Sequence, residues 1–180
     1  MADSLDRILD QWRAERPDLD ASPMGVVGRI QRASRLLERG LSEHFATRGL
    51  QTWEFDLLAT LLRSGPPYRL TAGDLAATSM ITSGAITNRI DRLEARSLVS
   101  RETDPTNRRS VLVTLTDRGR EVVDQAMADH VANEARLIGA LRPDEQEQLA
   151  GLLRTMLTAL GDTPADARPG RPAQSAPEGA

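Results

Sequence analysis

The hydrophobic pattern changes its period in the middle of the chain, and this change constrains the fold more than any other feature. Up to Arg96 the apolar residues recur every three or four positions, which is typical of amphipathic helices. Leu98–Thr103 and Ser110–Thr116 instead alternate apolar and polar side chains, as half-buried strands do. Helical spacing returns from Asp117 onward. We therefore predict a mainly α protein with one small β-hairpin set between helices.

Residues that commonly begin and end helices bound the helical segments, such as Pro17 after the first and Gly49 after the second. The pattern predicts helices over residues 4–16, 22–48, 52–63, 72–78, 82–96, 117–141 and 143–160. We expect three parts. These are an N-terminal helix and linker over 1–23, a domain over 24–160 that contains a lobe at about 50–116, and a disordered tail over 161–180. The tail holds four Pro and no large apolar residue, so it cannot bury enough surface to offset its ordering entropy.

Two short helices at 72–78 and 82–96, followed by a hairpin, give the element order of a winged helix-turn-helix. In such a domain the first residues of the second helix reach base edges in the major groove. The candidate residues here are Thr82, Ser83, Thr87 and Asn88. For Thr82 and Ser83, capping of the helix is an equally good interpretation. Arg108 and Arg109 are predicted at the hairpin tip, where they can enter a minor groove.

The charge distribution agrees with a DNA-binding face. The net charge is −3, but residues 89–120 carry eight Arg and five acidic residues, whereas residues 1–28 carry three Arg and six acidic residues. An acidic chain repels nucleic acid unless its basic side chains are gathered together. On charge alone, a solvated surface is the better interpretation of this segment. Because the segment coincides with the second helix and the hairpin of the predicted winged helix-turn-helix, double-stranded DNA is the predicted partner.

Several function classes are excluded by composition. The chain has no Cys and no Lys, which excludes disulfides, a thiolate nucleophile, a phosphate-binding loop of the Walker type and a Schiff-base lysine. His44 and His130 do not form a metal-binding pattern. With no paired catalytic carboxylates either, we expect no enzyme, no metal and no cofactor. Neither a spanning segment nor a signal peptide is predicted, so we expect a cytoplasmic protein without a membrane partner.

The stretch 70–120 resembles the DNA-binding lobe of the MarR family of winged-helix repressors. The pieces that carry the resemblance are Leu70-Thr71, Asp74-Leu75-Ala76, Arg92-Leu93-Glu94, Leu98-Val99 before Arg101, Asp104-Pro105 with Arg108-Arg109, and Leu115-Thr116 before Gly119. Together with the flanking helices, the resemblance covers about residues 24–160. It implies a winged helix-turn-helix transcriptional regulator, a repressor, with flanking dimerisation helices. Two positions depart from the family: Ser97 stands where Gly is usual, and Asn107 replaces a frequent Asp that braces the wing arginines.

A homodimer is also predicted from the residues themselves. The helices over 24–48, 117–141 and 143–160 hold more apolar surface than one small lobe covers. A two-fold pair buries this surface and sets two recognition helices about 34 Å apart, which fits a pseudo-palindromic operator.

The chain is similar, more narrowly, to the urate-responsive subgroup of that family, which carries an extra N-terminal helix with a Trp. The matching positions are Trp12, Asp56, Arg89 and Arg101. The resemblance implies a pocket in which arginines fork onto a planar urate-like anion and an indole packs against it. Asp56 would pair with Arg89 or Arg101 in the empty state.

Alternatives remain open from the sequence. Another effector, such as citrate, aconitate or a phenolic compound, fits an arginine-rich pocket equally well. Taken singly, Trp12 is also explained as a core residue, Asp56 as a salt-bridge partner, and the two arginines as phosphate contacts. A helical protein–protein interaction module, whose arginines meet an acidic partner, is the alternative from another functional class.

Overall fold

The computed structural model describes residues 2–79 and 86–162, and it forms two compact units, residues 1–137 and 138–180. The helices are α1 (Ser4–Glu15), α2 (Ser22–Ala46), α3 (Thr52–Arg63), α4 (Ala72–Thr78), α5 (Ile86–Ala95), α6 (Asp117–Leu137) and α7 (Pro143–Ala159). The strands are β1 (Arg69–Thr71), β2 (Val99–Thr103) and β3 (Val111–Leu115). The predicted mainly α fold with a small β-wing is confirmed. The predicted tail falls almost entirely on residues 163–180, which lie outside the described residues.

The sheet has three antiparallel strands in the order β1-β3-β2, so β3 is central. Leu70 of β1 and Arg101 of β2 both pair with Val113. The sequence predicted only the β2–β3 hairpin, and β1 corrects that prediction. A three-residue strand is too short to show an alternating pattern, and its partner lies more than 40 residues away along the chain. Tertiary pairing, rather than local preference, makes these residues a strand.

One apolar core holds α3, α4, α5, α6 and the sheet together. Its fully buried side chains include Leu57, Leu58 and Leu61 of α3, Leu75 of α4, Leu93 of α5, Val113 of β3 and Val123 of α6. Because α5 and the hairpin are anchored in this same core, the predicted recognition helix and wing belong to one packed body, which we call the winged lobe (residues 50–126).

The N-terminal helix α1 packs on the start of α2. Leu5 and Leu9 are buried against two glycines of α2, where an added Cβ would lie 2.8 Å from Leu5 Cδ1 at Gly28 and 3.1 Å from Leu9 Cδ1 at Gly25. Arg29 of α2 extends this contact with ion pairs to Asp3 (2.8 Å) and Asp6 (2.6 Å), and Asp3 also caps α1.

Backbone geometry restricts the side chain at several positions in the winged lobe and at its edge, of which three matter here. Gly49 closes the segment after α2 at φ 64°, and Ser97 follows α5 at φ 57°, so both residues are left-handed. The sequence predicted this conformation for Gly49 from its place after the helix. At Gly119 in α6, a Cβ would lie 1.9 Å from the carbonyl oxygen of Leu98. Glycine at that position therefore allows α6 to pass directly over the start of β2.

Both histidines contact the aromatic part of the core. Phe45 stacks on Phe55 at 4.4 Å and on His130 at 5.1 Å, and His44 meets Phe45 edge-on at 5.7 Å. Within the described residues, His44 Nε2 and His130 Nδ1 are buried without a hydrogen-bond partner. No group of His, Asp or Glu side chains in this part of the chain is arranged to hold a metal ion. No described helix combines the length and apolar character that crossing a membrane requires.

Candidate DNA-binding interface and effector site

The helix-turn-helix starts at a capped helix that is fixed to α3. The Thr71 hydroxyl accepts a hydrogen bond from the Asp74 amide (3.0 Å) and donates one to the Asp74 carboxylate (2.8 Å), so the first turn of α4 is closed. At the other end of α4, Arg63 of α3 donates to the carbonyl oxygen of Thr78 (2.6 Å). Both ends of α4 are thereby held, which fixes the point from which the chain leads toward α5.

Helix α5 turns its apolar side inward and two of the predicted base-contacting residues outward. Ile90 and Leu93 are buried in the core, whereas Thr87 and Asn88 are exposed in the first described turn. Small polar side chains in this position match the depth of the major groove. The predictions for Thr82 and Ser83 fall outside the described residues.

The tip of the hairpin is a turn held by its own polar groups. The Asp104 carboxylate accepts hydrogen bonds from the Thr106 hydroxyl (2.7 Å) and amide (2.8 Å), and these bonds hold the pKa of Asp104 below its ordinary value. The Asn107 side-chain oxygen accepts from the backbone amide of Arg109 (3.2 Å). Asn107 thus supports the turn backbone in place of the family's Asp, without bracing a guanidinium.

Arg108 and Arg109 are both exposed at this tip, and neither forms an ion pair with any described residue. Two unneutralised guanidinium groups on an ordered turn are the chemistry expected of a wing that enters the negative potential of a minor groove.

A pair of acidic residues ties the wing to the recognition helix. Arg101 of β2 forms ion pairs with Asp91 and Glu94 of α5, the latter at 2.7 Å. On the same sheet, Arg69 of β1 pairs with Glu102 of β2 at 3.1 Å. These contacts fix the wing strands relative to α5, and they were not predicted from the sequence. Asp91 and Glu94 are three residues apart, so both carboxylates lie on one side of α5. From this spacing, their shared ion pairing with one arginine could have been predicted.

The four residues predicted to form an effector pocket lie on four different elements. Trp12 is on α1 and 42% exposed, Asp56 is half-buried on α3, Arg89 is on α5 and Arg101 is on β2. At about 100° per residue, Asp91 and Glu94 occupy the side of α5 opposite Arg89, so their ion pairs direct Arg101 away from it. Arg101 therefore pairs with these two acids, on the side of α5 that faces away from Arg89.

Arg89 instead faces α3. Its guanidinium carbon lies 5.4 Å from the ring centre of Trp53, and that of Arg92 lies 5.1 Å from the same ring. Arg89 Nη1 is buried and has no hydrogen-bond partner among the described residues. From the sequence, Trp53 had no predicted role beyond an apolar position, and Arg92 had none. Arg89 and Arg92 are three residues apart and lie on the side of α5 that meets α3. From this spacing, a shared contact of the two arginines on α3 could have been predicted.

Two of the cavities lined by described residues open on the first unit. The larger, about 450 Å³, is lined by Ala46, Gly49, Leu50, Gln51, Glu54, Arg92, Ala95 and Arg96. In it the buried Glu54 carboxylate accepts from Arg96 through both oxygens at 2.8 Å and from the Gln51 amide at 2.8 Å. The smaller, about 330 Å³, lies between α2 and α6 and is lined by His44, Thr47, Arg48, Asp129, Ala132, Asn133 and Arg136.

Comparisons with known proteins agree with this geometry. A model of the MarR family matches residues 48–110, which contain α3, the helix-turn-helix and the wing up to its tip. The HTH-type transcriptional regulator PecS of Dickeya dadantii is 39% identical over 146 residues, covering 81% of this chain and 88% of PecS.

Two solved structures share the fold. Sco3205, a MarR family transcriptional regulator from Streptomyces coelicolor in complex with DNA, superposes with a TM-score of 0.72 at 28% identity and covers 83% of this chain and 92% of Sco3205. Bordetella bronchiseptica BpsR, whose DNA binding is regulated by 6-hydroxynicotinic acid, superposes with a TM-score of 0.67 at 27% identity, covering 77% of this chain and 94% of BpsR. The relatives found are transcriptional regulators rather than enzymes. With its capped helix-turn-helix and basic wing, this chain belongs to the MarR family of DNA-binding transcriptional regulators.

Proposed function

We propose that this regulator is a homodimeric repressor that a small planar anion, urate-like in chemistry, releases from a pseudo-palindromic operator. The observation that carries the proposal is the position of Arg89. It lies on the recognition helix, and its buried Nη1 has no hydrogen-bond partner among the described residues. A ligand that supplies an acceptor to this group acts directly on the helix that reads DNA.

DNA contact is assigned to the exposed start of α5 and to the wing tip. Thr87 and Asn88 face the major groove, while Arg108 and Arg109 enter the neighbouring minor groove. A dimer that neutralises about 6–10 phosphates loses about 10³–10⁵ in affinity between 50 and 200 mM salt. Such a steep salt dependence on a palindromic duplex also excludes the alternative of a protein–protein interaction module.

Support for a homodimer comes from apolar side chains that the single chain leaves in solvent. On α2 these are Met24, Val26, Val27, Leu36 and Leu37, and on α7 they are Leu149, Leu152 and Leu157. Apolar surface of this extent is normally covered in a soluble protein. A two-fold partner covers it and places two copies of α5 about one turn of DNA apart.

Release by a ligand requires that the ligand bind the DNA-incompetent state more tightly than the DNA-bound state. Arg89 and Asp56 are the assigned response residues, because one lies on α5 and the other on the helix against which α5 packs. The likeness to BpsR, which responds to 6-hydroxynicotinic acid, supports a planar heterocyclic anion as the class of effector. Urate is the member of this class that the resemblance of the four residues favours.

The test is a DNA-binding titration of the full chain against the intergenic region upstream of its own gene, with and without urate, 6-hydroxynicotinate and citrate. We expect tight, salt-sensitive binding that the planar anions weaken and citrate does not. Arg89→Ala and Asp56→Ala should bind DNA but respond less to the ligand. Undiminished release in both variants contradicts the assigned response residues, and release by citrate favours the tricarboxylate alternative.

Arg109→Ala tests the wing separately. Removing one guanidinium per subunit from the DNA interface should weaken DNA binding about tenfold and reduce the salt slope by about one for each phosphate that is no longer neutralised. Arg7→Ala is the matched control, because Arg7 is an exposed arginine on α1 with no ion pair among the described residues. If the two variants bind DNA equally well, the wing makes no contribution.

A further inference from the structure

Trp53, in the first turn of α3, is in contact with two arginines of the recognition helix. The guanidinium carbons of Arg89 and Arg92 lie 5.4 and 5.1 Å from its ring centre, both within the range of a cation–π contact. Trp53 is half-buried, and its indole N–H donates to the side-chain oxygen of Gln51 (2.5 Å). The ring is therefore held in a fixed orientation at the junction of α3 and α5.

Among the described residues, Arg89 and Arg92 have no acidic partner, whereas the nearby Arg96 has one. Arg96 lies on the same side of α5, and its guanidinium is neutralised by both oxygens of the buried Glu54. Arg89 and Arg92 form no ion pair with any residue the structure describes, and Arg89 Nη1 is buried without a hydrogen-bond acceptor. Like charges three residues apart on a helix repel each other, and a buried N–H group without a partner is costly. The junction consequently favours any ligand that brings negative charge and acceptor oxygens.

The chemistry of the three side chains points to a planar ligand. A guanidinium forks onto the two oxygens of a carboxylate or a conjugated enolate, and an indole offers a flat face against which an aromatic ring packs. The neighbouring 450 Å³ cavity is lined by Glu54, Arg92 and Arg96, and there the Glu54 carboxylate already neutralises Arg96. The guanidinium groups of Arg89 and Arg92 beside Trp53, rather than the Glu54–Arg96 pair, therefore favour a bound anion.

We propose that Trp53, Arg89 and Arg92 bind the planar anionic effector, with its oxygens bridging the two guanidinium groups and its ring against the indole. This inference rests on the proposed function and deepens it, because it assigns the indole to Trp53 instead of Trp12 and the second cation to Arg92 instead of Arg101. A ligand bound in this way links α5 to α3 and sets the position of the recognition helix relative to the core.

Calorimetric titration of the full chain with 6-hydroxynicotinate and with urate tests the assignment. Arg92→Gln is the sharpest variant, because Arg92 is exposed and makes no ion pair within the described residues. We expect Arg92→Gln and Trp53→Leu to weaken ligand binding at least tenfold. Trp12→Phe, Arg101→Gln and the control Arg7→Gln should stay within about twofold of the unaltered chain. Thermal melts and ligand-free DNA titrations of each variant report whether fold and DNA binding persist.

Each other outcome overturns a stated part of the proposal. If the ligand loses affinity in Trp12→Phe or Arg101→Gln but not in Arg92→Gln, the pocket implied by the family resemblance is correct and this inference fails, while the proposed function stands. If Arg92→Gln weakens DNA binding and leaves ligand binding unchanged, Arg92 contacts a DNA phosphate instead. If the unaltered chain binds neither planar anion, both this inference and ligand release fail, and DNA binding alone remains.

Discussion

The winged lobe and the α1–α2 pair are stabilised in different ways. In the lobe, side chains from α3, α4, α5, α6 and β3 are fully buried in one core, and backbones approach closely, as where Gly119 passes Leu98. In the α1–α2 pair only Leu5 and Leu9 are buried among the large side chains of α1, and ion pairs of Arg29 hold much of the remaining contact.

The exposed apolar residues show the same contrast. Val26 and Leu36 of α2 are 61% and 66% exposed, whereas Leu57, Leu58 and Leu61 of α3 are completely buried. The lobe buries its apolar side chains within one chain. On α2, in contrast, a stripe of apolar side chains remains in solvent and needs another surface to cover it. The part that carries the helix-turn-helix and the wing is therefore self-contained, whereas α2 leaves apolar side chains exposed in the single chain.

The largest expected effect comes from adding a side chain where two backbone segments of the lobe, at Gly119 and Leu98, lie in close contact. Gly119→Ala should lower the free energy of unfolding by about 3 kcal/mol, because the new Cβ meets a backbone carbonyl that cannot move without shifting β2. Gly28→Ala in the α1–α2 pair is the matched control. Its Cβ meets the flexible end of Leu5, and alanine is favoured in a helix, so the change should stay within about 1 kcal/mol. Urea unfolding measures both, and similar losses of stability would remove the contrast between the two regions.

The next effect concerns assembly. The double variant Val26→Asp/Leu36→Asp places charges on the exposed stripe and should raise the dimer dissociation constant about 100-fold, without loss of helicity in the monomer. Gln11→Asp adds a charge on the exposed surface of α1, outside this stripe, and should have little effect. Analytical ultracentrifugation distinguishes the two variants. A double variant that dimerises normally would show that α2 lies outside the interface.

A smaller effect is expected where the lobe departs from its family. Ser97 is left-handed, a conformation that costs a residue with a Cβ roughly 1 kcal/mol relative to glycine. Ser97→Gly should therefore stabilise the lobe by about 0.5–1 kcal/mol, while Gly49→Ser, at a left-handed position beside the lobe, should destabilise the protein by a similar amount. Thermal unfolding measures the pair, and shifts of the same sign would contradict this explanation.

The smallest effect concerns the electrostatic part of the α1–α2 contact. The hydrogen bond from Arg29 holds the pKa of Asp3 below its ordinary value, so the folded state favours the ionised carboxylate. The resulting stabilisation is present above the ordinary pKa and disappears as the pH falls through the lowered value, at pH below about 4. Asp3→Asn keeps a capping side chain but removes the charge, and it should slightly lower the melting temperature at pH 7 and have a smaller effect at pH 3, where the stabilisation is being lost. An equal difference at both pH values would mean that capping geometry, not charge, is responsible.

Much of the winged lobe could be predicted because its signals are local. The cap at Thr71, the left-handed Gly49 and Ser97, and the alternation in β2 and β3 each depend on residues close together in the sequence. Strand β1 could not be predicted in this way, because it exists only through its pairing with β3. The proposed effector site shows the same limit, since the acids that hold Arg101 and the ring that meets Arg89 depend on how α5 packs.

The sequence by itself determined the order of the helices, the helix-turn-helix with its basic β2–β3 hairpin, and the two arginines at the hairpin tip, because spacing and turn chemistry act over a few residues. Only the tertiary structure decided which charges are neutralised: Arg101 by Asp91 and Glu94, Arg96 by Glu54, and Arg89 and Arg92 by no described residue. The physical reason is that an ion pair is set by distances in space, which the packing of α5 against α3 and the wing fixes and the order of residues along the chain does not.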